Sequence, residues 1–141
     1  MPTFNNLNQL EKYIKSQIKL AVQDTRDYIY EMINFYIIKY YGSYSPEQYQ
    51  RTYQFADSLI KMDVSVNGSS ISTEVKINED FLSMNYNPTF TGQKVAEYAN
   101  LGLHGLHVQT DVRFWQDALE ELGGEAGIEN LLKSNLHKYL D

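Results

Sequence analysis

From Leu7 to Tyr41 the chain contains neither Gly nor Pro, and apolar residues return at helical spacing: Leu7, Leu10, Ile14, Ile18, Ala21 and Val22, Ile29, Ile33, Tyr36 and Ile37, Tyr40. Read as one helix, this stretch is roughly 50 Å long at about 1.5 Å per residue. A compact chain of 141 residues has a radius of gyration of about 14 Å, hence a diameter of about 37 Å. The rod therefore outruns its own globule. Either it bends, with the polar interruption Gln23-Asp24-Thr25-Arg26 as the place for a kink, or another subunit covers the overhang. The second reading is favoured here, and it makes the chain part of an assembly.

Beyond that stretch the sequence organises as one α+β domain over residues 1–141: a helical part to residue 60, a β-rich part over 61–101 and closing helices over 110–141. Asn5 or Asn6 supplies a cap for the first helix, and Gly42 stands where a C-terminal glycine belongs. Ser45-Pro46-Glu47 reads as a second helix start running to about Leu59, with Tyr49, Tyr53 (or Thr52), Ala56 and Leu59 inward. The period then drops to two. Met62, Val64 and Val66 alternate with polar residues, and so do Ile71, Thr73, Val75 and Ile77, on either side of a turn containing Asn67-Gly68. A hairpin over 62–78 with one apolar face follows, and the first helix is its cover. Phe81, Leu82, Met84 and Tyr86 lie in a loop-like stretch and cover a core edge. Leu101 to Asp111 reads as a Gly/His loop. Thr110 or Asp111 caps a helix from Val112 to Leu122, whose apolar face is Phe114, Trp115, Ala118, Leu119 and Leu122. Gly123-Gly124 ends it, and Ile128, Leu131, Leu132, Leu136, Tyr139 and Leu140 form a last amphipathic helix.

Charge narrows the function classes. The net charge of −6 and pI near 5.0 oppose general nucleic-acid binding, which needs a basic surface. With Cys at 0, disulfides, thiolate nucleophiles and Cys-based zinc sites are excluded. Residues 1–6 lack the basic start and apolar core of a signal peptide, and no apolar run reaches membrane-span length. A soluble acidic domain made inside the cell is the expectation.

No residue set identifies a reaction. The best metal candidates are His104, His107 and Asp111, since imidazole and carboxylate are common ligands. Gly105 between the histidines spoils a rigid face, and Asp111 has a competing role as a helix cap. Glu79-Asp80 and the group Glu120, Glu121 and Glu125 read as solvated acidic surface. There is no Gly-x-Ser-x-Gly elbow and no phosphate loop. The expectation is a chain that is not an enzyme and carries no cofactor.

Tyr is over-represented, at 12 residues, and crowds around one bend. Tyr36, Tyr40, Tyr41, Tyr44, Tyr49 and Tyr53, with Arg51, are candidates for an intersubunit contact, because Tyr pairs a large apolar ring with a polar tip. The competing reading is a helix–turn–helix corner whose hydroxyls reach water; different rings can serve each.

The order of these elements resembles the neck, tail-completion and minor capsid (head–tail joining) proteins of tailed bacteriophages and prophages. The matching pieces are the long leading helix, Ser45-Pro46-Glu47 with Arg51-Thr52 and Leu59, the 62–78 hairpin, Tyr98-Ala99-Asn100-Leu101-Gly102, and Phe114-Trp115 opening the last helical region. Tyr40-Tyr41-Gly42-Ser43-Tyr44-Ser45-Pro46 looks most like versions from phages of Gram-positive hosts. The resemblance implies a non-enzymatic virion component, made in the bacterial host cytoplasm. It implies a ring of copies between head connector and tail, contacting other phage structural proteins, with no sequence-specific nucleic acid and no membrane. An acidic channel wall in such a ring lets DNA slide. Two other classes stay open: a phage-encoded binder of a host defence protein, whose carboxylates mimic nucleic acid, and a small metal-dependent hydrolase using His104 and His107.

Overall fold

A computed structural model describes residues 3–42, 57–78, 103–104, 108–109 and 113–141. It shows the expected α+β architecture, a long N-terminal helix packed on a small antiparallel hairpin with C-terminal helices. Helix α1 spans Leu7–Gly42 as one run of 36 residues, about 54 Å at about 1.5 Å per residue. Its start is closed by an exchange of side chains. Asn6 Oδ1 accepts from the Gln9 N–H at 2.9 Å, and Gln9 Oε1 accepts from the Asn5 N–H at 2.9 Å. Two orphan donors are thereby satisfied, in the manner of a capping box.

The kink expected at Gln23–Arg26 is not a break: the helix runs through it. Thr25 lies inside that run. Its hydroxyl donates to the Ala21 carbonyl at 2.8 Å, so a polar residue on the buried stripe is satisfied within the helix.

The core gathers on the second half of α1. Ile33, Ile37 and Tyr40 are buried with Leu59, Phe114 and Ala118, and Val75, Ile77 and Trp115 pack at the edge. Leu59 lies in a strand. β1 (Leu59–Lys61) pairs antiparallel with β4 (Val75–Ile77), Leu59 opposite Ile77 and Lys61 opposite Val75. The expected helix to about Leu59 therefore stops short of it; Ser45 to Ala56 lie outside the described residues.

The hairpin tip is β2 (Ser65–Asn67) against β3 (Ser70–Ser72), with Val66 opposite Ile71. Gly68 opens the two-residue turn at φ +60°, the left-handed conformation that primed hairpin turns require. Between the two ladders the register slips. The Met62 N–H donates to the Glu74 carbonyl at 2.8 Å, continuing the base pairing. Asp63 and Val64 then stand opposite Thr73 alone, which is a β-bulge. One extra residue reverses the facing of the first strand: Leu59 and Lys61 face α1 below the bulge, and Val66 shares a face with Ile71 above it. Met62, expected on the apolar face, is instead exposed at the bulge.

Helix α2 covers Phe114–Glu121, and its N-cap is Arg113, not Thr110 or Asp111. The Arg113 N–H donates to Asp117 Oδ2 at 3.2 Å, so a carboxylate inside the first turn does the capping. Phe114 and Ala118 are buried, as the spacing predicts. Gly123 (φ +85°) and Gly124 (φ +67°) turn the chain, and helix α3 begins at once, spanning Gly124–Leu140. Within the expected Gly/His loop, β5 (Leu103–His104) pairs with β6 (Val108–Gln109). Phe81, Leu82, Met84 and Tyr86 lie outside the described residues.

Candidate functional site

The polar stretch of α1 is where the hairpin and α3 are fastened to it. Thr25 and Arg26 are buried. Asn135 Nδ2 of α3 donates to Thr25 Oγ1 at 2.9 Å. Lys138 Nζ and the Tyr139 hydroxyl both donate to Asp24 Oδ2, at 3.0 and 2.6 Å. Those hydrogen bonds, Tyr139 first, outweigh partial burial and hold the Asp24 carboxyl below the usual range. The same bond to Asp24 raises both the Tyr139 and the Lys138 pKa.

On the other side, Arg26 reaches the hairpin. Its Nη1 donates to the Met62 carbonyl at 3.0 Å, and that oxygen also accepts the Thr73 hydroxyl at 2.7 Å. Asp27 Oδ1 collects Arg26 Nε at 3.0 Å, Arg26 Nη2 at 2.9 Å and Lys61 Nζ at 3.0 Å. Burial pushes the Asp27 carboxyl up, but the bonds from Lys61 and Arg26 win and lower it. Buried charge is tolerated here because each group has its partners. In the sequence Arg26 stands out only as part of the polar interruption, and Asp27 and Asn135 do not stand out at all. The available signal was Thr25 at a stripe position, four residues after Ala21, where a polar group must find partners.

The Tyr candidates separate. Tyr40 is buried in the core and is not on an accessible face. Tyr36 is half-buried, edge-on to Phe35 at 5.3 Å, with Lys39 Nζ 5.5 Å from its ring centre. Burial raises its pKa, helped by Glu121, Asp117 and Glu120 of α2. Tyr41 lies in the last turn of α1. Tyr44, Tyr49, Arg51 and Tyr53 lie outside the described residues.

His104 sits in β5, paired across the ladder with Val108, whereas His107 and Asp111 lie outside the described residues. Among the described residues no group of three or more His, Asp or Glu is placed to hold a metal, and no helix is long and apolar enough to cross a membrane.

What the helix leaves bare is its first half. Between Leu7 and Leu20 no residue is buried. Leu7 is 81% exposed, and Ile14 and Leu20 are exposed too; Tyr13 is met by Phe4, with ring centres 5.0 Å apart. Further along, Phe35 (57%) and Ile38 (60%) face solvent. Contiguous exposed apolar side chains are the kind of patch that interaction sites use.

A family model described as YomN matches residues 6–140. No curated protein and no solved structure matches the chain.

Proposed function

We propose that this chain, which belongs to the YomN family over residues 6–140, is a non-enzymatic structural subunit of a tailed-phage particle. In this reading it joins head connector to tail as one copy in a neck or tail-completion ring. The observation that carries the proposal is the unbroken helix of Leu7–Gly42, whose first half holds apolar side chains left exposed, with nothing among the described residues burying them. A helix end of this kind is finished by another subunit, as ring components do for one another. The resemblance in element order supplies the kind of assembly.

The test is particle composition. Virions purified from an induced producer strain, labelled with an antibody to this chain, should carry gold at the head–tail junction. A chain abundant in the lysate but missing from intact particles refutes the reading.

The acidic run on α2 and α3 (Asp117, Glu120, Glu121, Glu125 and Glu129) favours one competing reading, a binder that presents carboxylates to a basic host protein. Pull-down of one host nuclease, at one-to-one stoichiometry and with its activity lost, would select it.

A further inference from the structure

We propose that the N-terminal end of α1 of one copy docks head-to-tail in a groove between α2 and α3 of a second copy. This rests on the assembly reading above and names the surfaces that reading leaves open. The groove has a volume of about 400 Å³. Leu119 of α2 and Ile128 and Leu132 of α3 form its apolar floor, and Glu125 and Glu129 stand along its rim. Both glutamates are exposed, and neither has an ion-pair partner among the described residues. From Phe114 to Leu132 the acidic residues are Asp117, Glu120, Glu121, Glu125 and Glu129, with no Lys or Arg; Lys133 then closes the row.

The end of α1 carries the complement. Leu7, Leu10, Ile14 and Ile18 lie on one stripe at i, i+3, i+7 and i+11. Lys12, Lys15 and Lys19 form a row at i, i+3 and i+7 beside it, against the single acid Glu11, which pairs with Lys15 at 3.0 Å. In a chain of net charge −6 this end is locally basic. An apolar row flanked by lysines thus matches an apolar floor rimmed by glutamates, and such complementarity sets register and partner choice.

A chain cannot fill its own groove in this way. Thr25 lines the groove and stands on the same unbroken helix. Ile14 lies roughly 16 Å upstream of Thr25 along the axis, and Leu7 roughly 27 Å, at about 1.5 Å per residue. The unbroken helix carries the stripe away from the groove, so the occupant is another copy. Tip and groove are different patches, so the contact is heterologous, and its repetition closes a ring or extends a filament.

The experiment is sedimentation velocity on the full chain over a concentration series, at low and at physiological salt. The wild type should self-associate, more strongly at low salt. Glu125→Lys/Glu129→Lys and Lys12→Glu/Lys19→Glu should each weaken association by about tenfold, the scale of two exposed pairs turned repulsive. An equimolar mixture of the two variants should recover it, because each reversed tip then meets a reversed groove. These are exposed side chains, and unchanged melting curves establish that both variants fold. A wild type that stays monomeric, variants that associate as well as the wild type, or a mixture no stronger than its parts each overturn the docking. Particle labelling separates the two ideas. Variants with unchanged association that still reach the neck overturn this contact alone, whereas a chain absent from particles removes the structural role itself.

Discussion

Gly127→Ala tests how closely α3 is pressed against the end of α2. The Gly127 N–H donates to the Gly123 carbonyl at 3.1 Å. A Cβ built on Gly127 falls 1.8 Å from the Leu122 carbonyl oxygen and 2.8 Å from its carbon. Both are backbone atoms, so no side chain can swing aside. The corner must open by more than about 1 Å, and forced overpacking costs about 1–3 kcal/mol. Replacing a helical Gly by Ala returns about 1 kcal/mol. With an immovable neighbour the upper figure applies, leaving about 2 kcal/mol of net destabilisation. For a chain of this size that lowers the melting temperature by about 6–8 °C. Circular-dichroism melting reads this directly. A Gly127→Ala variant melting at or above the wild type would show the helix preference unopposed and would refute the close approach. Gly124→Ala is the contrast. Nothing lies within 4 Å of its Cβ, but its φ is +67°, so its cost is the left-handed strain alone, about 1–2 kcal/mol.

Asp24→Asn should flatten both ends of the pH–stability curve measured by urea titration. The Asp24 pKa is lowered from 3.8, so its contribution is whole above that value and is lost as pH falls through the folded pKa. The Tyr139 and Lys138 pKa values are raised from 10.0 and 10.5, so their contribution is whole below about pH 10 and is lost as pH rises. Thr25→Val should cost about 1 kcal/mol by stranding the Asn135 amide, while Thr25→Val/Asn135→Leu should cost less than the sum of the singles; additivity in a denaturation cycle would refute the bond. Asn6→Ala removes a cap worth about 0.5–2 kcal/mol. Because the first half of α1 is unpacked, the loss should appear as faster amide exchange over residues 7–10 with the global melt unmoved; a shifted melt would show that this end is held.

The long helix was legible because a 3.6-residue pattern recurring over ten turns without Gly or Pro reads as helix and not as strand, even across one polar interruption. The hairpin was legible for the same reason at period two, and so was the apolar face of Phe114, Ala118 and Leu122. The bulge was not legible. Even-numbered Met62, Val64 and Val66 alternate correctly for the tip, but the base uses odd-numbered Leu59, and a pattern alone does not say where parity changes. Leu59 reads in the sequence as the end of a helix because its apolar side chain suits either period. Gln23 to Arg26 looks in the sequence like a place to bend, since polar residues interrupt a stripe in the same way whether they break it or receive partners. The deciding residues, Met62, Asn135 and Tyr139, are distant in sequence. Tyr40 looked like an interface ring and is core, because Tyr composition does not report depth. The groove arises where two helices meet at Gly123-Gly124, and no local pattern announces it.

The extra residue at Asp63-Val64 divides the hairpin into two parts with separate duties. Below it, the strands are tied to Arg26 and the core; above it, the blade pairs with itself and leans on α1 through β3 alone. Such a tip can be lengthened or trimmed in steps of two residues per arm without disturbing its root. Variation among relatives of this chain should therefore accumulate at the blade in even increments, while the spacing from Leu59 to Met62 stays constant.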